Sequence, residues 1–136
     1  MAFEFPLLRP GIFVAAEDLS THQFKFVKVT ANGVVRCTVD GEYADGVLQN
    51  NPAAGQAAEV EMRGITRVVV AASEALAVGD FVGTTTAATA TVVNPTATGA
   101  DLGDHMLGRV LEAATGSSPA GVLATISFAP IGRVTA

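Results

Sequence analysis

Several residue types that often carry chemistry or mark a cellular compartment are scarce in this sequence. Its 136 residues include no Trp, one Tyr, two His and one Cys. A single Cys excludes an intrachain disulfide, so the fold does not depend on an oxidising compartment. Cys37 alternates with Val35 and Val39, which favours a small buried apolar side chain over a reactive thiol.

Charge is also scarce, because only 15% of the residues are charged and the formal net charge is −5. Typical domains are about 25% charged, so the low value indicates that a partner covers part of the surface. No Lys/Arg cluster is available to neutralise a phosphate backbone, so we expect no nucleic-acid partner.

Long apolar runs are missing as well. No stretch approaches 18 apolar residues, which predicts that nothing spans a membrane and that no membrane is bound. The opening MAFEFPLLRPG contains an acid and two prolines, and it lacks the basic segment and unbroken apolar segment of a secretory signal.

The residues that are abundant favour strands. Apolar residues make up 49% of the chain and are mostly Val, Ala, Leu and Ile, with Thr and Gly prominent beside them. This mixture of β-branched and turn residues predicts an all-β fold, and 136 residues suffice for one domain with a real core.

The first 22 residues differ from the rest and predict an extended N-terminal arm over residues 1–22, followed by a β-domain over residues 23–136. Pro6 and Pro10 prevent a helix across this stretch. An apolar arm must bury its side chains, either on its own domain or on a neighbouring chain, and the sequence leaves both open. The side chains concerned are Phe3, Phe5, Leu7, Leu8, Ile12 and Phe13.

From Gln23 onward, the pattern is one of short strands and turns. QFKFVKVT and VVRCTV flank Asn32-Gly33, a pair that accepts positive φ in a tight hairpin. Residues 56–63 alternate, so Ala58, Val60 and Met62 should face one way. ITRVVV, residues 65–70, is apolar enough to predict a strand buried on both faces.

GVLQNNPAAGQAAEVEMRG, residues 46–64, could be a ligand-binding loop or a structural turn. A phosphate loop needs a Lys and the start of a helix after its last Gly, whereas Gly55 is followed by Gln56 and an alternating strand. A biotin- or lipoyl-type carrier needs a Lys where Arg63 stands. The structural turn is therefore favoured.

The sequence gives little support for any catalytic residue. The loop containing Ser117 and Ser118 fails the G-x-S-x-G spacing of a nucleophile elbow. Asp101, Asp104 and His105 form the best available acid–base or metal cluster, but an exposed polar loop explains them more simply. We therefore expect no catalytic, cofactor-binding or metal-binding residues and no enzymatic activity.

The ordered series GVLQN (residues 46–50), PAAG (52–55), AVGD (77–80) and GRVLEA (108–113) resembles the small capsid decoration, or cement, proteins of tailed bacteriophages. The similarity runs from about Leu19 to Phe128 and rests on turns and strands rather than catalytic residues.

The resemblance implies a small β-barrel or β-tulip-like domain, often a homotrimer, at threefold or quasi-threefold sites outside the expanded head. Its partner would be the major capsid protein lattice, and its location the outer surface of a virion assembled in the bacterial cytoplasm. In such a protein the arm would lie along the shell. The Asn50, Asn51 and Pro52 loop would be a rim contact.

Two alternatives remain open at this stage. A tail or head–tail accessory protein would share the same composition but bind a ring or a tube. A small hydrolase or ligand-binding barrel would be built around Asp101, Asp104 and His105, and it would need polar groups converging on a pocket.

Overall fold

The computed structural model describes residues 13–96, 99, 101–118 and 120–135. Within these ranges the chain forms strands and turns and no helix, which confirms the predicted all-β class. Accordingly, no helix in the described part is long and apolar enough to cross a membrane. The strands are β1 (Phe13–Val14), β2 (Phe26–Thr30), β3 (Gly33–Arg36), β4 (Gly46–Leu48), β5 (Ala57–Ala58), β6 (Val60–Glu61), β7 (Gly64–Val69), β8 (Ala75–Leu76), β9 (Phe81–Thr84), β10 (Ala90–Val93), β11 (His105–Glu112), β12 (Ala114–Thr115) and β13 (Leu123–Arg133).

The larger sheet has five antiparallel strands in the order β10-β9-β11-β13-β7. Strand β13 lies inside this sheet because it pairs with β11 on one side and β7 on the other. Its residues alternate, with Ala124, Ile126 and Phe128 buried and their neighbours more exposed, so one face of the strand packs on the core. Strands β8 and β12 form a separate two-stranded sheet.

The smaller sheet has four strands in the order β3-β2-β4-β6. A turn at Ala31 and Asn32 joins β2 to β3 close to the predicted position, with Thr30 paired to Gly33. Gly33 has the predicted positive φ, at +124°, but it belongs to β3, and Asn32 is not among the residues with positive φ. A side chain at Gly33 would also collide with the backbone carbonyl of Val14, so the site requires glycine for both reasons.

Strands β2 and β4 separate two hydrophobic cores. Phe26 and Val47 face the larger cluster, which the five-stranded sheet also lines, whereas Val27 and Leu48 face a smaller cluster. All four side chains are fully buried. Each burial stabilises the fold by roughly 1.5–3 kcal/mol, so both faces of this short sheet contribute to stability.

Part of the predicted arm packs on the domain. Strand β1 pairs with β5, Ala15 forms a bridge to Val34, and Leu19 is fully buried in the smaller core. Residues 1–12 of the predicted arm lie outside the described residues.

The β-barrel or β-tulip-like domain that the resemblance implies is not closed into a barrel by the described strands, which build open sheets. The edges of the larger sheet approach each other at one isolated bridge between Val70 and Ala90. Closure of a barrel needs a continuous ladder with a consistent stagger, and one bridge does not supply it.

The prediction that residues 65–70 are buried on both faces is only partly right. Val68, Val69 and Val70 are buried, but Ile65 is 71% exposed and Arg67 is exposed as well. The first half of β7 alternates because only its inner face meets the larger core.

Candidate interaction surfaces

The predicted rim loop, Asn50 to Pro52, is stabilised by hydrogen bonds to neighbouring backbone groups. The Asn50 side-chain amide donates to the Ala57 carbonyl at 2.9 Å, and its oxygen accepts from the Glu59 N–H at 2.9 Å. Pro52 is buried, and its carbonyl accepts from the Leu19 N–H at 2.9 Å. Asn51 is exposed, so it is the residue of the predicted trio most available to a partner.

Of the six arm side chains predicted to contact a partner, only Phe13 is described. It is half-buried against the smaller core and pairs with Ala58. The other five, Phe3, Phe5, Leu7, Leu8 and Ile12, lie outside the described residues.

Asp101, Asp104 and His105, the residues of the hydrolase hypothesis, hold the loop before β11 in place. The Asp101 carboxylate accepts from the Asn94 N–H at 3.0 Å, and His105 Nδ1 lies 3.1 Å from the Gly41 carbonyl oxygen. The Asp104 side chain packs so tightly against Gly41 that a Cβ there would collide with its carboxylate. The Asp104 and His105 contacts tie the loop before β11 to the one after β3, whereas the Asp101 contact ties it to the end of β10.

The electrostatics of Asp104 follow from this packing. Burial raises the pKa of its carboxyl, and the negative charges of Asp40 and Asp101 raise it further, while His105 opposes the shift. No group of three or more His, Cys, Asp or Glu is arranged to hold a metal ion within the described ranges.

Cys37 is fully buried, as its sequence pattern predicts. Burial, aided by the negative charge of Glu42, raises the pKa of its thiol to about 12. The thiolate is the reactive form of cysteine, so Cys37 in the folded protein is unsuited to nucleophilic chemistry.

Glu42 organises the turn after β3. Its carboxylate accepts hydrogen bonds from Lys28 Nζ at 2.7 Å and from the backbone N–H groups of Thr38 and Val39 at 2.6 and 3.0 Å. Burial alone would raise the pKa of Glu42, but these three hydrogen bonds and the Lys28 charge lower it below its ordinary value.

A shallow groove of about 290 Å³ lies where the two sheets meet, lined by Tyr43, Asp45, Met62, Arg63 and Pro130. Tyr43 is 48% exposed, and its ring meets the His105 ring edge-on at a centroid distance of 5.7 Å. Tyr43 and Arg63 are exposed and Met62 is half-buried, and Tyr, Met and Arg are enriched at protein–protein interfaces.

A second groove, of about 400 Å³, lies beside β9 and β10 and includes Phe81 and Pro95. The Arg109 guanidinium lies over the Phe81 ring at 6.0 Å, and its Nε donates to the Gly79 carbonyl at 3.2 Å. These contacts hold Arg109 in place on the outer face of the larger sheet.

Sequence reasoning missed the first groove because its lining comes from three separate segments. Tyr43 and Asp45 precede β4, Met62 and Arg63 follow β6, and Pro130 belongs to β13. The only indication in the sequence was Tyr43, the single Tyr of the chain, which lies beside a turn that contains Gly41. A Tyr beside a turn does not by itself indicate which distant residues it contacts.

No protein-family model matches the sequence, and a search of curated proteins finds no match. Among solved structures, the chain is similar to the N base of the head fibre gp8.5 of bacteriophage phi29. The TM-score is 0.60 at 16% sequence identity, and the alignment covers 85% of this chain and 89% of that chain. The chain therefore shares its fold with the base of a phage head fibre.

Proposed function

We propose that this chain is a structural protein of a tailed-phage head, which binds the outer surface of the expanded capsid and cements neighbouring major capsid protein subunits. The observation that carries the proposal is the likeness in fold to a phage head-fibre base over 85% of the chain. The resemblance of its turn and strand motifs to decoration proteins supports the same role.

The side chains that could perform chemistry support a binding role rather than an enzymatic one. Cys37 is buried with a strongly raised pKa, and the Asp101 and His105 side chains contact backbone groups of neighbouring loops. The best acid–base candidates in the sequence thus stabilise loops in the fold.

The low content of charged residues and the exposed apolar side chains support the proposal that a partner protein covers part of the surface. Ile65, Val78 and Ile131 are each more than half exposed. A protein that links several subunits raises the resistance of a shell to rupture, because many contacts must break together.

In this proposal the contacts with the lattice come from the apolar residues before β1 and from the exposed Asn51. A homotrimer at threefold or quasi-threefold sites would present three such segments to three neighbouring subunits. Multivalent attachment of this kind gives an avidity well above the affinity of one contact.

The test uses expanded heads that lack the protein. Purified chain is added, the heads are heated, and the temperature at which packaged DNA becomes accessible to a dye is measured. We expect that temperature to rise by several degrees with the full chain and not with a variant that begins at residue 13. The truncation keeps Phe13 and Val14 because both belong to β1, and circular dichroism confirms its folding.

A second candidate has an observation in its favour, since the similar structure is the base of a fibre. In this second proposal the chain would anchor an appendage to the head without strengthening the shell. Binding to heads at full occupancy with no change in the rupture temperature would favour this anchoring role over cementing.

A further inference from the structure

The outer face of the five-stranded sheet carries apolar side chains at exposed positions. Along β7 and β13, buried residues alternate with residues whose side chains point away from the core. Ile65 and Leu123 both point outward and are exposed, and Leu111, beside the irregularity in β11, is exposed as well. An antiparallel sheet with one face in water usually places polar residues on that face. The apolar residues therefore favour this face as an interaction surface.

Two opposite charges flank the centre of this face. Arg67 on β7 pairs with Thr125 on β13, and Thr125 pairs in turn with Glu112 on β11. Adjacent strands are about 4.8 Å apart, so the backbones of Arg67 and Glu112 are separated by roughly 10 Å, with Thr125 midway between them. Both charged residues are exposed. The positive and the negative charge thus lie on opposite sides of β13.

A shallow depression of about 240 Å³ lies at the same place, lined by Arg67, Glu112, Leu123 and Thr125. The Thr125 hydroxyl donates a hydrogen bond to the Glu112 carboxylate at 3.0 Å. This bond holds the negative charge on the outer face, beside the depression. The two charges therefore border a recess that the side chains of a partner can enter.

We propose that this face binds the same face of a second copy of the chain, with a twofold axis that runs along β13 above Thr125. Rotation about this axis exchanges the β7 side of the face for the β11 side. It places Arg67 opposite Glu112 of the partner subunit, and Glu112 opposite Arg67 of the partner subunit. This reciprocity is the property of an isologous interface.

Charge complementarity favours a second copy as the occupant, because the face is complementary to itself. A twofold axis perpendicular to β13 would instead place Arg67 opposite Arg67 of the partner subunit, and like charges in contact are destabilising. An axis along β13 keeps the strands of the two sheets aligned, which is one of the two ways in which sheets pack face to face. It also brings Leu123, an exposed apolar residue, against Leu123 of the partner subunit.

The pairing rests on the residues of this sheet and does not depend on the proposed capsid role. A twofold contact does not close a trimer, because three copies form a ring only through head-to-tail contacts. In a protein that also forms trimers, the pairing would join copies that belong to different trimers.

Sedimentation equilibrium on the full chain measures the association. We expect reversible dimers, and we expect Arg67→Glu or Glu112→Arg to raise the dissociation constant at least about tenfold, because each replaces two ion pairs by two like-charge contacts. Arg36→Glu is the matched control: it makes the same charge reversal as Arg67→Glu at an exposed position on β3 of the smaller sheet, and it should leave the dissociation constant unchanged. Circular dichroism confirms that each variant is folded.

An equimolar mixture of the Arg67→Glu and Glu112→Arg proteins tests the reciprocity. A dimer with one copy of each variant again has two opposite-charge contacts, so the mixture should associate about as tightly as the wild-type protein. No recovery in the mixture would overturn the twofold pairing, as would trimers without dimers or hexamers. A wild-type chain that is still monomeric at about 1 mM, or single variants that associate normally, would overturn the use of this face.

Discussion

The rings of Phe26 and Phe128 pack with their centroids 6.3 Å apart and their planes tilted by 40°, and they join the smaller sheet to the larger one. Both side chains are fully buried in the larger core. This contact lies within one core, so the two sheets pack against each other there.

Replacing Phe128 by Ala is expected to lower the free energy of unfolding by about 3–5 kcal/mol, because it removes buried area and leaves a cavity. Urea denaturation followed by circular dichroism measures the loss. Ile131→Ala, on the same strand but at a 57% exposed position, should change stability by less than about 0.5 kcal/mol. Equal effects of the two substitutions would contradict the described core.

Glu42→Gln should destabilise the protein at neutral pH by about 1–3 kcal/mol, because the carboxylate accepts three hydrogen bonds. The pKa of Glu42 is lowered in the folded state, so its contribution is present above the ordinary value of 4.5 and lost as the pH falls below it.

The measurement for this prediction is the difference in stability between the wild-type protein and the variant from pH 7 to pH 3. We expect the difference to shrink as the pH falls. Glu59→Gln is the matched control, because no hydrogen bond to the Glu59 carboxylate occurs among the described residues. A difference independent of pH would contradict the role given to the Glu42 charge.

Cys37 should resist alkylation by iodoacetamide in the folded protein at pH 8. With a pKa of about 12, roughly one thiol in ten thousand is ionised at that pH, and burial blocks access as well. Mass spectrometry should find complete modification in denaturant and very little without it. Similar rates in both conditions would show that the thiol is accessible.

The substitutions Asn50→Ala and Asn51→Ala test whether Asn50 stabilises the loop and whether Asn51 instead contacts a partner. Loss of the Asn50 hydrogen bonds to Ala57 and Glu59 should cost about 1–3 kcal/mol, whereas Asn51→Ala should leave stability within about 0.5 kcal/mol. Thermal unfolding measures both. If the capsid proposal holds, Asn51→Ala weakens head binding without lowering the unfolding temperature.

Local patterns in the sequence predict local structure well. The position of the hairpin turn before Gly33 and the inward face of Ala58, Val60 and Met62 follow from residues that are close in the chain. The all-β class follows for the same reason, because turn residues and β-branched residues set short strands independently of how the sheets assemble.

Long-range relationships could not be predicted in this way. Phe26 and Val27 are adjacent, yet they enter different cores because β2 is covered on both faces by segments distant in sequence. Ile65 is apolar but exposed, since only the inner face of β7 meets the core. Pro52 belongs to a loop with a surface composition, but it is buried and its carbonyl accepts a hydrogen bond from the distant Leu19 N–H.

The most direct test of the proposed head-binding role is to mix the purified protein with expanded heads that lack it and, separately, with tails, and to image both by electron cryomicroscopy. The account predicts added density on the outer surface of the heads at threefold or quasi-threefold positions and none on the tails. Density on the tails alone, with bare heads, would contradict it.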